Sequence, residues 1–534
     1  LPIAVHSAAM TPSSSSSLAS EHQAFYRWLV AIAVMTSAMM ELVDTSAVNV
    51  AIPYIAGNLS ATIDEATWVL TSYLVSNAVV LPLTGWLASR FGRKRLLMTA
   101  IAGFTVASML CGLAPSLPTL IICRILQGAF GGTLQPTTRA ILLETFPREE
   151  RGKAMAMWGL GIVVAPIVAP VLGGWLTTDY SWRWVFFINL PVSIAGLILV
   201  QLYVFDPSYL RRTMKSIDYW GLGMLVTGIA ALQIVLDKGQ EADWFSSHFI
   251  VALAIIAVAG LTAFVIWELV ARDPMVHLRL LKYRTFATCV GLSIVLYFVL
   301  YGSILVLPLF MQEVLNFPAI TAGIWNCPRG IATMALMPLA GYLIGRRWDM
   351  RALLFGGILI SAVGMLSFSF LDSASGPWNF LWPQIIMGAG LSFVFVPFAT
   401  ISVDPIPNEE MGYATSITGL TRNLGAGFGI SISATLLERR EQVRQVQLAA
   451  HVNATNPQTA NLLSAMENYF HRGGVDLSTA GHQALGALYA IIRLQASVLS
   501  YLDVFRLLAA MFVLVAPLVW IMRKPHFKRG DGGK

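Results

Sequence analysis

Two carboxylates, Glu41 and Asp44, stand three residues apart inside the apolar stretch "ELVDTSAVNVAIP", and an amide, Asn49, follows. Helical spacing places the two acids on one face. A charge near the middle of a membrane span costs roughly 2.5 to 3.5 kcal/mol, so neither side chain is expected to face lipid. If both were ionised about 6 Å apart, repulsion at an effective dielectric near 20 would cost about 3 kcal/mol, enough to keep one of them protonated. That is proton-carrier chemistry. The structural alternative is that Asp44 only hydrogen-bonds a neighbouring helix and that Glu41 lies nearer the interface.

Arg124, with Gln127 one turn on, lies in another apolar run. A buried guanidinium must be paired or hydrogen-bonded, and a carboxylate of the first run is the natural partner. Protonating that acid would release the arginine and couple proton binding to movement; a permanent pair would only tie two helices together. Asp44, Glu41 and Arg124 are therefore the candidate proton-coupling residues. Arg329 in "CPRG" and Arg422 in "RNLGAGFG" are further cations inside apolar runs. With Asn49, Gln127, Trp68 and Tyr73 they form a candidate substrate lining, although aromatic residues are more often core than ligand wall.

The chain has no GxxxxGK[ST] phosphate loop, no HExxH and no histidine near the middle of an apolar run. No metal or cofactor is expected, and no ATP hydrolysis. Energy should come from a gradient, since one charge crossing the membrane potential is worth about 2.3 kcal/mol per 100 mV.

The elements that must position these residues follow from composition. With 56% hydrophobic and 12% charged residues, the chain of 534 cannot be a soluble globular protein, and reads as an all-α polytopic membrane protein. The net charge of +7 does not point to nucleic acid, because the bases sit in short clusters between apolar runs. Four cysteines lie inside those runs without a CxxC pair, so no disulfide framework is indicated.

Against the roughly 20 residues that cross a bilayer, fourteen runs can be drawn: 27–52, 65–88, 96–114, 118–143, 154–177, 183–204, 217–236, 248–270, 286–312, 319–345, 351–371, 378–402, 412–436 and 502–522. Bases gather in alternate loops: Arg90 to Arg95, then Arg148, Arg151 and Lys153, then Arg211, Arg212 and Lys215, then Arg272 to Arg284, then Arg346 to Arg351, then the tail "RKPHFKRG". The positive-inside rule then places both termini in the cytoplasm. Residues 1–26 read as a disordered leader, with Met10 a candidate start. The long outer loop 438–501 contains an amphipathic segment that could lie on the membrane or meet a partner.

The chain also repeats itself. "GWLASRFGRKR" after the second run matches "GYLIGRRWDMR" after the tenth with Gly85 on Gly341, and "RILQGA" from Arg124 faces "QIIMGA" from Gln384. The expected plan is two six-helix halves, 27–204 and 285–522, with two helices inserted in 205–284 and a tail at 523–534.

In these residues the chain resembles the fourteen-helix drug:proton antiporters of the major facilitator superfamily, close to bacterial multidrug-efflux permeases. "LVDTSAVNVAIP" is similar to the family's first-helix signature, and "GWLASRFGRKR" to the loop motif after the second helix. "RILQG" resembles the fourth-helix motif, "APIVAPVLGGW" the antiporter motif of the fifth, and "WRWVFFINLP" the opening of the sixth. The resemblance implies a major facilitator fold and proton-driven efflux of amphipathic small molecules across the bacterial inner membrane. It further implies a conformational latch at Gly85, Arg90, Gly92 and Arg93, and a leak seal at Ala165, Pro166, Ala169, Pro170, Gly173 and Gly174. The family's acid in the loop motif is Ser89 here, and two motif glycines are Ala165 and Ala169. Relatives in double-membraned bacteria work with a periplasmic adaptor and an outer-membrane channel, which makes these candidate partners; the sequence itself does not show them. Two other readings keep the sequence features: a transporter dedicated to one metabolite such as an organic anion, bound by Arg329, Arg124 or Arg422, and a non-transporting membrane sensor or scaffold.

Overall fold

The structure, a computed structural model, describes the backbone of residues 12–147, 150–206, 218–271, 274–452 and 456–524. Of the loop bases that set the expected topology, Arg148, Arg211, Arg212, Lys215 and Arg272 lie outside the described residues, as does the tail from 525. Every described element is helical, as the long apolar runs demand: without water, backbone groups are satisfied only inside helices or closed barrels.

The chain divides into two compact units. The first holds α1 (Pro12–Asn58), α2 (Ile63–Val80), α3 (Thr84–Phe91), α4 (Arg93–Gly112), α5 (Leu117–Gly131), α6 (Leu134–Thr145), α7 (Arg151–Asp179), α8 (Trp184–Phe187) and α9 (Asn189–Tyr203). It also takes in the described residues 274–277 and 407–416. The second holds α10 (Tyr219–Lys238), α11 (His248–Val270), α12 (Arg284–Leu309), α13 (Ala319–Gly345), α14 (Met350–Ser367) and α15 (Leu381–Ile401). It continues with α16 (Met411–His451, whose first turn belongs to the first unit), α17 (Pro457–Arg472) and α18 (Leu477–Val515). The two helices expected as an insertion, α10 and α11, cluster with the second unit.

Each of the fourteen expected runs is occupied by a helix or by two helices in line. Pro82 sits in a short 3-10 turn, Leu81–Leu83, that joins α2 to α3 within one run. Gly132 and Thr133 separate α5 from α6 in the same way. Among the described residues, twelve segments are long and apolar enough to cross a membrane; α7 and α16 are not in that set.

Two expectations are corrected. The leader is not disordered from 12 onward: α1 begins at Pro12, a residue suited to a helix's first turn, and runs without a break into the first span. Nor are the described residues of 438–501 mainly loop: they hold the end of α16, all of α17 and the start of α18, and the segment expected to be helical is so. Residues 437 to 452 contain no glycine or proline, so α16 simply continues to His451. The segment "ALGALYAIIRLQASVLSYLDVF" is part of the 39-residue α18, which runs on into the last span.

Candidate functional site

Asp44 lies on α1 with no exposed surface, and four polar side chains from three other helices converge around it. Arg124 Nη1 of α5 donates to Asp44 Oδ2 at 2.7 Å. Gln127 Nε2 of the same helix donates to Oδ1 at 2.9 Å, and Asn189 Nδ2 at the start of α9 donates to Oδ1 at 2.7 Å. Ser108 of α4 in turn accepts from Asn189 Nδ2 at 3.0 Å. The carboxylate thus accepts three charge-assisted hydrogen bonds, the kind of arrangement that makes a buried ion pair tolerable.

Arg124 is held from several sides. Its Nε donates to the Val69 carbonyl at 3.1 Å and its Nη1 also donates to Gln127 Oε1 at 2.6 Å. Tyr73 lies face-on, 4.2 Å from the guanidinium carbon to the ring centroid, a favourable cation–π contact in a dry site. Tyr73 itself is 1% exposed, so it is a floor under the arginine. Around this knot lies an apolar cluster that includes Val48, Val69, Leu120, Trp182 and Phe186, which keeps water out and the dielectric low.

Glu41 is also buried, and its Oε1 accepts from Asn77 Nδ2 of α2 at 2.9 Å. Neighbours on one helix face thus meet different side chains: Asp44 takes Arg124, Gln127 and Asn189, and Glu41 takes the Asn77 amide.

The described motif residues of α7 include closely packed positions. α7 is one helix through Pro166 and Pro170, and the side chain of Pro166 lies outside the described residues. Ala165 and Ala169 are fully buried, and a Cβ on Gly173 would come 2.9 Å from the Ala47 carbonyl of α1. Gly174 is off this stripe, with its nearest neighbour at 3.9 Å from a Cβ.

At the α3–α4 corner Gly92 has φ of +87°, a conformation that favours glycine, and a Cβ there would meet the Asp206 carboxylate. Asp206 Oδ1 accepts from the Lys94 amide at 2.8 Å, capping α4. Arg93 is buried in an ion pair with Glu144 and donates to the Asn408 carbonyl at 3.3 Å. Arg90 lies over the Trp86 ring at 5.4 Å. Gly85 lets the Tyr413 backbone approach to 2.7 Å of where its Cβ would be. Ser89, standing where an acid was expected, shares a 3.1 Å hydrogen bond with the Tyr413 hydroxyl, and His277 stacks on that ring at 3.8 Å.

In the second unit Arg329 of α13 is buried, with 8% exposure. Its Nη1 donates to Ser303 Oγ of α12 at 3.1 Å and its Nη2 to Asn326 Oδ1 at 3.2 Å. Gln384 Nε2 of α15 donates to the same Asn326 oxygen at 3.0 Å. Arg422 on α16 is half-buried and outside this cluster, while Trp68 is half-buried and Asn49 exposed. Sequence reasoning missed Asn189, Ser108 and Asn77. The signal for Asn189 was an amide opening the sixth run in "FINLP".

These features define a polytopic helical protein with a sequestered, charge-paired acid. The Major Facilitator Superfamily model matches residues 34–430. Multidrug export protein EmrB of Escherichia coli K12 is 36% identical over 513 residues, covering 95% of this chain and 97% of EmrB. Fatty acid resistance protein FarB of Neisseria gonorrhoeae is 36% identical over 506 residues, covering 94% and 97%. A double-tryptophan variant of XylE superposes with a TM-score of 0.62 at 15% identity, covering 94% of this chain and 97% of that one, and so shares the fold. The chain belongs to the major facilitator superfamily, in the branch that contains the EmrB-type exporters.

Proposed function

We propose that this protein is a proton-coupled antiporter that exports drugs and other amphipathic small molecules, a transporter rather than an enzyme. The observation that carries the reading is Asp44, an acid sealed from water and held at both oxygens by Arg124, Gln127 and Asn189. Protonation of Asp44 removes the charge that holds Arg124, so proton occupancy and the tie between α1 and α5 are one variable. Glu41, with an amide partner, is the second acid that could carry a proton. No cofactor is required; the proton gradient is the energy source.

The relatives' names support the cargo, since EmrB is a multidrug export protein and FarB a fatty acid resistance protein. The loop charges support fourteen crossings with both termini cytoplasmic, and the bacterial relatives support the inner membrane. The extension built from α16, α17 and α18 is then periplasmic, where a periplasmic adaptor and an outer-membrane channel would be met. The test is reconstitution in proteoliposomes with an imposed pH gradient and a panel of amphipathic dyes. Dye-induced proton release that disappears in Asp44→Asn supports the reading; exchange with unchanged pH dependence in that variant refutes the assignment of Asp44.

A further inference from the structure

The internal repeat gives Arg329 a meaning that its own surroundings do not. The register that sets Gly85 on Gly341 sets Tyr73 on Arg329, and the register of "RILQGA" on "QIIMGA" sets Arg124 on Gln384 and Gly128 on Gly388. The structure bears out this correspondence within each unit: a Cβ on Gly128 would strike the carbonyl of Tyr73, and a Cβ on Gly388 would strike the carbonyl of Arg329. The same helix contact recurs with its chemistry rearranged. In the first unit the cation is on α5, its aromatic neighbour on α2, and an acid on α1 neutralises it. In the second unit the cation has moved to the α2-like helix, an amide takes the place of the arginine, and Ser303 reaches Nη1 from α12 where Asp44 reaches it from α1.

Arg329 is thus a buried guanidinium whose hydrogen-bond partners, Ser303, Asn326 and the Met387 sulfur, are all neutral. Of its five N–H groups three are directed by these contacts, and the remaining two are spare. Gln384, also fully buried, has an amide oxygen without a hydrogen bond among the described residues. A buried cation without an anion is costly.

The neighbouring surface indicates what kind of anion completes it. On α12, Leu300 and Leu296 precede Ser303 by one and two turns; on α15, Leu391 and Val394 continue the face of Gln384 and Met387. These four line an apolar pocket closed by Phe398 and Phe512. From Ser303 to Leu296 is about 10 Å along a helix, the length of a chain of roughly eight carbons. The pocket is narrow, about 10 Å³, so occupancy requires α12 and α15 to part.

We propose that the Arg329 cluster is the receptor for the anionic headgroup of an amphipathic substrate whose apolar body runs along α12 and α15. This rests on the transporter reading and names a substrate class for it: compact organic anions on an alkyl or aryl body. The second unit recognises the charge that the first unit supplies internally.

The test uses two amphiphiles with one tail and opposite heads, decanesulfonate and decyltrimethylammonium, below their micelle-forming concentrations. Binding to the full-length protein and export from phosphatidylcholine proteoliposomes are both measured, so that no anionic lipid competes. Arg329→Gln is expected to raise the Kd for decanesulfonate at least about tenfold and to lower that for decyltrimethylammonium. Ser303→Asp, which supplies the missing carboxylate while keeping the arginine, is expected to shift both in the same directions. Undiminished sulfonate binding, or equal loss of both ligands in the two variants, overturns the proposal. Wild-type protein that binds the sulfonate with this selectivity but exports neither amphiphile would instead refute the transporter reading and leave the receptor standing.

Discussion

Arg124 and Asp44, eighty residues apart in the chain, meet at 2.7 Å with neither side chain exposed. Removing one member of such a pair leaves the other as a bare buried charge, at a cost of about 3–5 kcal/mol. Asp44→Asn is therefore expected to lower thermal stability in detergent and to abolish drug-induced proton release. Asp44→Asn combined with Arg124→Gln should recover most of the stability and none of the coupling. If the double variant is no more stable than the single one, the pair is not electrostatically closed.

Asn189 donates to both Asp44 and Ser108, so its loss is felt at the acid. Asn189→Ala should cost about 1–3 kcal/mol by leaving buried acceptors short of a donor. It also removes one of the three donors that hold the Asp44 carboxylate, so drug-driven proton release should fall. Thermal unfolding in detergent and the amplitude of proton release in proteoliposomes read the two effects.

The glycine pair of α7 separates packing from composition. Gly173→Ala forces a Cβ against the Ala47 backbone and should destabilise by about 1–3 kcal/mol. Gly174→Ala meets only Val50 at 3.9 Å and should be close to neutral or mildly stabilising. Thermal unfolding of the two purified variants makes the comparison.

At the α3–α4 corner, Gly92→Ala meets both an unfavourable φ and the Asp206 carboxylate, and about 1–2 kcal/mol of local stability should be lost. Asp206→Ala relieves the contact but removes the cap on α4, worth about 0.5–2 kcal/mol. Amide hydrogen exchange at Lys94 should quicken in both.

The Asp44–Arg124 pair was legible in the sequence because burial of a charge in an apolar run leaves few options, and each residue names the other. Tyr73 shows the limit of that reasoning: an aromatic in a span can line a cavity or floor a guanidinium, and spacing within its own helix does not decide between them. Asn189 escaped because it sits at the opening of its run, where amides are ordinary, and its importance depends on α4 and α1 coming together. The outer segment was misread by polarity, since charged residues beyond the apolar run suggested a loop. The absence of glycine and proline from 437 to 452 was the better guide, because nothing there stops a helix. Arg329 was visible as an oddity, yet its lack of a carboxylate partner among the described residues could be seen only once α12 and α15 were in place.

The unbroken course of α18 has a mechanical consequence. A helix of 39 residues is about 58 Å long, and only its part from Leu502 onward, about 21 Å, belongs to the last apolar run. The remaining 37 Å or so is a stiff lever arm: a tilt of about 10° within the membrane would swing its far end by roughly 6 Å. Small rearrangements deep in the bilayer are thereby magnified at the tip, where a second molecule resting on it would sense each turnover as a push.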